Sequence, residues 1–274
     1  MWSFFRKRNK KKNHPPVGLA LGSGGAKGMA HLGALKAFEE HGLTFDIVTG
    51  TSIGAIVGAL YAKGYSSADM WGIIESINRN EFARNLRPFS DLEFAEKLLE
   101  EYLEGDVSDL NKPFACWATD AQTNKGVLLN EGKTAHIVTA SAAIPPFFRG
   151  VNVDGKILYD GAFSNAIPAD VCKDMGAKAV IGCDLSAFKR AEEDKSTLMK
   201  FVGTAVNAFM PVQTLPDAKT RGYAAADVML RPNLYGFSST DVSRAAMAKM
   251  FDIGYEEATA HVDEIKEAIA KANG

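Results

Sequence analysis

Two short apolar segments near the start of the chain each run directly into a cluster of glycines. Val17–Leu21 precedes the segment Gly22–Gly28, and Phe45–Thr49 precedes Gly50–Gly54. Apolar runs of this length predict buried strands, and after each glycine cluster the apolar residues recur near helical spacing. A strand–helix–strand–helix order predicts an α/β fold in which helices cover a parallel sheet.

The remaining sequence continues to alternate between strand-like and helical patterns. Further strands are predicted at residues 114–119, 126–130, 151–153, 156–159, 179–183 and 228–231. Helical patterns cover residues 29–41, 55–63, 66–110, 135–143, 168–175, 197–210 and 243–272. A chain of 274 residues is of ordinary size for one α/β domain, so we predict a single domain over residues 17–274.

Residues 1–16 are predicted to form a disordered basic tail. Six of the 31 Lys and Arg residues lie there, and no acidic residue precedes Glu39, whereas the whole chain has a net charge of only −2. The charge therefore gives no reason to expect a nucleic-acid partner. With Trp2, Phe4 and Phe5, the tail either contacts an anionic lipid surface, where each cation gains about 1 kcal/mol, or is only a solubilising end.

The order of residues in this tail is wrong for a secretory signal, because the basic residues follow the apolar ones. No apolar stretch reaches the roughly 18 residues of a membrane-spanning helix. We therefore expect a cytoplasmic protein, which would sit peripherally on the inner face of the membrane if the tail binds lipid. Cys116, Cys172 and Cys183 are too few and too scattered for a disulfide framework or a zinc site, so buried free thiols are expected.

The segment Gly50–Gly54 fits the pattern Gly-x-Ser-x-Gly between a predicted strand and a predicted helix. In that setting a sharp turn exposes the serine hydroxyl at a helix N-terminus, and the flanking Gly50 and Gly54 avoid clashes. Ser52 is therefore a candidate nucleophile. The alternative is a serine that only caps a helix beside packing glycines.

The segment Gly22–Gly28 has three interpretations. A phosphate-binding loop needs Gly-Lys followed by Ser or Thr, but Lys27 is followed by Gly28. A dinucleotide fingerprint needs its third glycine one place earlier and an acidic residue after the next strand, so a nucleotide-binding module is disfavoured. The third interpretation is an oxyanion hole, in which Gly24 and Gly25 offer uncovered backbone amides and Lys27 adds positive charge.

A serine nucleophile also needs a base, and no histidine is well placed to be one. In the order Ser–Asp–His only His261 qualifies, but its surroundings predict a solvated helix face. Asp160 offers another route, because it follows an apolar strand and precedes Gly161 and Ala162, whose small size permits close approach of a second backbone. A buried Asp160 can accept the Ser52 proton directly. The alternative is an ordinary Asp-Gly turn.

These three elements, in this order, resemble the motifs of the patatin-like phospholipases, and most closely those of the small single-domain bacterial members. The flanking sequence agrees, with Ala140–Pro145 before the aspartate. The resemblance implies a three-layer α/β/α sandwich with a mainly parallel central sheet and a Ser52–Asp160 dyad that acts without histidine, cofactor or metal. It also implies an oxyanion hole, with Ser23 and Lys27 in place of the commoner glycine and arginine. The residues implied for that hole are Ser23, Gly24, Gly25, Lys27, Gly28 and Ile53.

The resemblance implies a serine lipid acyl hydrolase that acts on phospholipids, lysophospholipids or simple fatty esters. A catalytically silent relative that binds lipid or a protein partner is the alternative. The intact Ser52 and Asp160 favour the enzyme.

Overall fold

The computed structural model describes residues 15–77, 90, 92–145, 147–186, 215 and 217–273. The eight strands of one sheet are β1 Val17–Leu21, β2 Ile47–Thr51, β3 Phe114–Asp120, β4 Gly126–Leu129, β5 Val151–Val153, β6 Lys156–Asp160, β7 Ala179–Cys183 and β8 Val228–Leu230. The α-helices within the described ranges are α1 Met29–Glu40, α2 Ile53–Lys63, α3 Ser67–Ser76, α4 Glu93–Glu100, α5 Thr134–Ser141, α6 Ala169–Asp174, α7 Thr220–Ala225, α8 Arg244–Ala260 and α9 Val262–Ala272. The basic tail through His14 and the predicted helix at 197–210 lie outside the described residues.

The sheet has the strand order β5-β6-β3-β2-β1-β7-β8, with β4 also paired to β3. Pairing is parallel between the neighbouring strands β3, β2, β1, β7 and β8, whereas β4, β5 and β6 join the sheet by antiparallel pairing. In the central pair Leu21 lies opposite Gly50, so the segment Gly22–Gly28 that follows β1 begins beside the segment Gly50–Gly54, which starts at the end of β2. The sequence pattern predicted this juxtaposition, because parallel strands present their carboxyl ends at one edge.

Apolar side chains on the two faces of the sheet form separate cores. On one face Leu19, Leu21 and Val48 pack with residues of α1, α2, α5 and α8. On the other face Ala20 and Ile47 pack with residues of α6. Alternate residues of a strand point to opposite faces, so an apolar run in β1 serves both cores. The predicted α/β/α sandwich with a mainly parallel sheet is confirmed.

The hairpin of β5 and β6 turns at Asp154 and Gly155, which have φ angles of 50° and 80°. Positive φ at both central residues is what a type I′ two-residue turn requires, and the Asp-Gly dipeptide predicted such a tight hairpin. The hairpin returns the chain so that β6 pairs with β3 and ends at Asp160. Its turn therefore determines where that carboxylate lies.

The predicted terminal helix over 243–272 is wrong in one respect, because the structure divides it at His261 into α8 and α9. The His261 ring donates from Nδ1 to the Glu257 carbonyl at 2.8 Å. That carbonyl is the one an uninterrupted helix would offer to the His261 amide, which bonds to Ala258 instead. Among the described residues no helix is both long enough and apolar enough to span a bilayer.

Candidate active site

Ser52 lies at the junction of β2 and α2, with φ 58° and ψ −125°. This conformation is rare for a residue with a side chain, and it turns the chain sharply between strand and helix. A Cβ atom at Gly50 would lie 2.2 Å from the Gly54 carbonyl oxygen, and one at Gly54 would lie 2.1 Å from the Leu21 oxygen. The two glycines therefore allow the turn and its close packing on β1.

The backbone amide of Ser52 donates to Ser141 Oγ at 3.0 Å, and Ser141 donates in turn to the Trp117 carbonyl at 2.7 Å. Ser141 is the last residue of α5 and is fully buried. It thus connects the strained residue to strand β3. No role for Ser141 is predicted from the sequence, although this residue stands in the Ala140–Pro145 stretch that supports the resemblance.

Asp160 ends β6 and is fully buried. Its Oδ1 accepts a hydrogen bond from the Ala162 amide at 2.8 Å, and its own amide donates to the Ala143 carbonyl at 3.0 Å. A Cβ atom at Gly161 would lie 2.1 Å from the Trp117 oxygen and 3.0 Å from Thr51 Cγ2. The absence of a side chain there lets the Asp160 turn approach the end of β2.

The structure brings Ser52 and Asp160 together. Burial raises the pKa of Asp160 to about 6, while hydrogen-bonding interactions with the Ser52 side chain and the Ala162 amide act in the opposite direction. Asp160 Oδ2 has no hydrogen-bond partner among the described residues, so its contact with the Ser52 hydroxyl falls short of normal hydrogen-bond geometry. Hydrogen bonds between a nucleophile and its base are often long until substrate binds. The pair consists of a hydroxyl and a carboxyl that ionises near neutral pH.

The glycine segment forms a loop and a 3-10 turn, Gly25–Gly28, beside Ser52. Among the described residues, the amides of Gly24 and Gly25 donate no hydrogen bond, whereas the Ser23 amide donates to the Ala166 carbonyl at 3.0 Å. The Ser23 amide is therefore already engaged, which corrects its inclusion among the oxyanion donors. The Lys27 amide donates to Gly24 at 3.3 Å, so it too is occupied.

The glycine loop packs directly against the serine turn. A Cβ atom at Gly28 would lie 2.1 Å from Ile53 Cγ1. The Ile53 amide stands in the first turn of α2 and, within the described ranges, donates to no protein group. Within the described ranges the amides of Gly24, Gly25 and Ile53 therefore have no protein acceptor, and they follow two adjacent strands of the sheet. Such amides suit an oxygen that carries negative charge.

Three of the histidines that the structure describes, His31, His136 and His261, have ring contacts with other groups. His31 is fully buried, and burial lowers its pKa to about 4, so it is neutral and donates from Nε2 to the Gly22 carbonyl at 2.8 Å. It therefore supports the start of the glycine loop, a contact that the sequence did not predict. His136 contacts Glu96 and the Asn152 carbonyl. In the described part of the chain no group of His, Cys, Asp and Glu residues is arranged to hold a metal ion.

Comparison with known proteins shows the family of this chain. Residues 19–173 match the family model described as Patatin-like phospholipase. Patatin-like phospholipase domain-containing protein 6 of Mus musculus is 31% identical over 276 residues, covering 88% of this chain and 20% of that protein. Lysophospholipase NTE1 of Eremothecium gossypii is 29% identical over 204 residues, covering 70% of this chain and 13% of that protein. The chain thus spans a fifth or less of these relatives.

Solved structures share the fold at low sequence identity. VipD from Legionella pneumophila superposes with a TM-score of 0.51 and 16% identity, covering 92% of this chain and 67% of that one. Human GIVD cytosolic phospholipase A2 has a TM-score of 0.53 and 11% identity, covering 98% and 61%. The narrower expectation of a small bacterial member stays a prediction. Because the family model matches more than half of the chain, the protein belongs to the patatin-like phospholipase family.

Proposed function

We propose that this protein is a serine lipid acyl hydrolase in which Ser52 is the nucleophile and Asp160 is its base. One observation carries the proposal: a serine in a strained strand-to-helix turn faces a fully buried carboxyl whose pKa lies near 6. The partner is ionised at neutral pH yet basic enough to accept a proton in the transition state. A serine that only capped α2 would use its side chain for that purpose, and Ser52 makes no such hydrogen bond.

The reaction proceeds in two stages. Ser52 Oγ attacks the acyl carbonyl carbon while its proton passes to Asp160, and the carbonyl oxygen becomes negatively charged. The amides of Gly24, Gly25 and Ile53 bind that oxygen. Asp160 then gives the proton to the leaving alcohol, which departs and leaves an acyl ester on Ser52. In the second stage Asp160 accepts a proton from water, the hydroxide attacks the ester, and the acid is released as the proton returns to Ser52 Oγ.

The substrates proposed are phospholipids, lysophospholipids and fatty acyl esters. The family and the name of the fungal relative, a lysophospholipase, support this class of substrate. Membrane contact through Trp2, Phe4 and Phe5 stays a prediction, since these residues lie outside the described ones. The cytoplasmic location and the single domain over 17–274 also stay predictions. The silent-relative alternative predicts lipid binding without turnover.

A fluorophosphonate probe tests the assignment directly. We expect stoichiometric labelling that peptide mapping places on Ser52, together with release of fatty acid from a panel of phospholipids and lysophospholipids. Labelling at another serine would contradict the proposed nucleophile. Lipid binding without labelling or hydrolysis would support the silent alternative instead.

The pH dependence of kcat/KM should report the ionisation of Asp160. Only the carboxylate can accept the Ser52 proton, so activity is expected to rise as the pH increases through about 6 and to level off above it. The measurement is kcat/KM for a p-nitrophenyl acyl ester between about pH 3 and pH 8 in buffers of constant ionic strength. An acid limb of kcat/KM near pH 3.8, the ordinary pKa of aspartate, would show that burial does not raise the pKa of this carboxyl.

The loop amides give a second kinetic prediction. In Gly25→Ala the new Cβ atom would lie 2.5 Å from the Ser239 oxygen at a residue with φ 58°, so the loop must move. Losing one oxyanion donor costs about 10²–10³ in kcat. Gly42→Ala is the matched control, because Gly42 has φ 68° but open space around it. It should cost about 1–2 kcal/mol of stability and leave turnover unchanged. Equal turnover in both variants would contradict the role of the loop.

A further inference from the structure

Ser52 is connected to Trp117 through one hydroxyl group. Its amide donates to Ser141 Oγ, and that hydroxyl donates to the Trp117 carbonyl oxygen. Ser52 has a positive φ angle, so its conformation persists only where the surroundings impose it. The Ser141 hydroxyl is the group that imposes it from the side of α5. Removing this hydroxyl would leave the Ser52 amide buried without that partner.

Asp160 is connected to the same residue through two hydroxyl groups. Thr119 Oγ1 donates to the Asp160 carbonyl at 2.9 Å and lies 2.8 Å from Ser164 Oγ. Because the single hydroxyl hydrogen of Thr119 is used on Asp160, Ser164 must be the donor between the two hydroxyls. Ser164 in turn accepts a hydrogen bond from the Trp117 indole nitrogen at 3.0 Å. The donors therefore run in one direction, from the indole to the backbone of Asp160.

Trp117 itself is held on several sides. It lies in β3, and a Cβ atom at Gly126 would lie 2.3 Å from its ring. The Arg221 guanidinium lies 5.9 Å from the ring centroid and also donates to the Ser164 carbonyl at 2.7 Å. A ring held between a strand and a guanidinium is a rigid support for the two connections.

We propose that Trp117 is a positioning residue that sets the separation of Ser52 and Asp160. Ser141 completes the connection to the nucleophile, and Ser164 with Thr119 completes the connection to the base. The inference rests on the proposed function, since it concerns the geometry of that reaction. Its physical basis is that a displacement of about 1 Å between reacting groups costs about 100-fold in rate.

Three variants interrupt these connections and leave Ser52 and Asp160 themselves unchanged. Ser141→Ala and Thr119→Val each remove the two hydrogen bonds of one hydroxyl, and Trp117→Phe removes the single bond from the indole to Ser164. We expect kcat for a p-nitrophenyl acyl ester to fall about 10–100-fold in each, with KM changed less than threefold. The acid limb of kcat/KM should move to higher pH, because the Ser52 hydroxyl no longer helps to hold down the pKa of Asp160. Thr119→Ser keeps the hydroxyl and should restore most of kcat.

A double variant tests whether both connections act on one distance. Ser141→Ala with Thr119→Val should lose less activity than the product of the two single losses, because either change alone already releases the pair. Thr139→Val is the matched control. Thr139 is a buried threonine of α5 whose hydroxyl has no partner in the described structure, so its loss should change neither kcat nor the pH limb.

All rates are taken per active site by titration with the fluorophosphonate, so unfolded protein does not count. The proposal would be overturned if the titrated variants had wild-type kcat and an unshifted acid limb of kcat/KM. It would also be overturned if the loss of activity in the double variant equalled the product of the two single losses. If one variant fails to fold, the other two decide. Failure of the proposed function looks different, because the wild-type protein would then neither label at Ser52 nor turn over.

Discussion

Replacing Ser52 with alanine is expected to lower kcat for ester hydrolysis by about 10⁴–10⁶-fold. In the proposed mechanism the acyl group is transferred to Ser52 Oγ in the first stage, and among the described residues it is the Ser52 hydroxyl that interacts with the Asp160 carboxyl. Any residual rate would come from binding and from the loop amides, which remain in place. Hydrolysis of a p-nitrophenyl acyl ester and of a lysophospholipid, followed to long times, measures the loss.

Ser66→Ala is the matched control for this variant. Ser66 also precedes a helix, but its hydroxyl accepts a hydrogen bond from the Asp69 amide and so caps α3. Its removal should cost about 1 kcal/mol of stability and leave kcat unchanged. Ser52→Ala should show the reverse, with a large loss of kcat and little loss of stability, because the Ser52 side chain caps nothing. A Ser52→Ala protein that retains a tenth of wild-type turnover would contradict its assignment as the nucleophile.

The features of the site that the sequence predicted are encoded within short stretches. A strand followed by glycines and a helix specifies a turn locally, so the strained position of Ser52 could be inferred from Gly50–Gly54 alone. The proximity of the two glycine segments followed from the parallel pairing of β1 and β2. Asp160 needed more, because its place depends on the β5–β6 hairpin and on pairing with β3. The family resemblance supplied that connection.

The features that the sequence did not predict depend on packing between distant elements. Ser141 acts through an amide 89 residues away, and no periodicity marks a serine that ends a helix beside another strand. The Ser23 amide is occupied because residue 166 passes beside it, which a local pattern does not reveal. His31 lies within the predicted helix over 29–41, and the helical pattern alone assigns it no contact. Only its contact with Gly22 shows that it supports the loop.

The Asp160→Asn variant is expected to lose about 10⁴-fold in kcat, which is the upper end of what a general acid–base group contributes. In the proposed mechanism the same carboxyl accepts the Ser52 proton, protonates the leaving alcohol and activates water, and an amide can do none of these. Fluorophosphonate labelling of Ser52 should slow in parallel, since it needs the same proton acceptor. Labelling at the wild-type rate would show that another group activates Ser52.

The same variant should be more stable than the wild-type protein at neutral pH. The Asp160 carboxyl has a pKa of 3.8 in the unfolded chain and about 6 in the folded protein. It therefore does not lower the free energy of unfolding below pH 3.8, lowers it increasingly as the pH rises, and reaches its full effect above pH 6. Since a tenfold change in ionisation corresponds to about 1.4 kcal/mol, the full cost is about 3 kcal/mol. Urea unfolding of Asp160→Asn and wild type at pH 4 and pH 7.5 measures it, and the gain should appear only at the higher pH.

Asp120→Asn is the control of opposite sign. Burial disfavours the charge of Asp120, but hydrogen bonds from the Thr123 and Gln122 amides outweigh it and lower the pKa of this carboxyl. Its replacement should therefore destabilise the protein at neutral pH and leave kcat unchanged. A carboxylate whose removal stabilises the fold but ends turnover is retained at the expense of stability, as expected of a group whose role is chemical. If Asp160→Asn and Asp120→Asn lost equal stability, we would conclude that Asp160 is an ordinary turn residue.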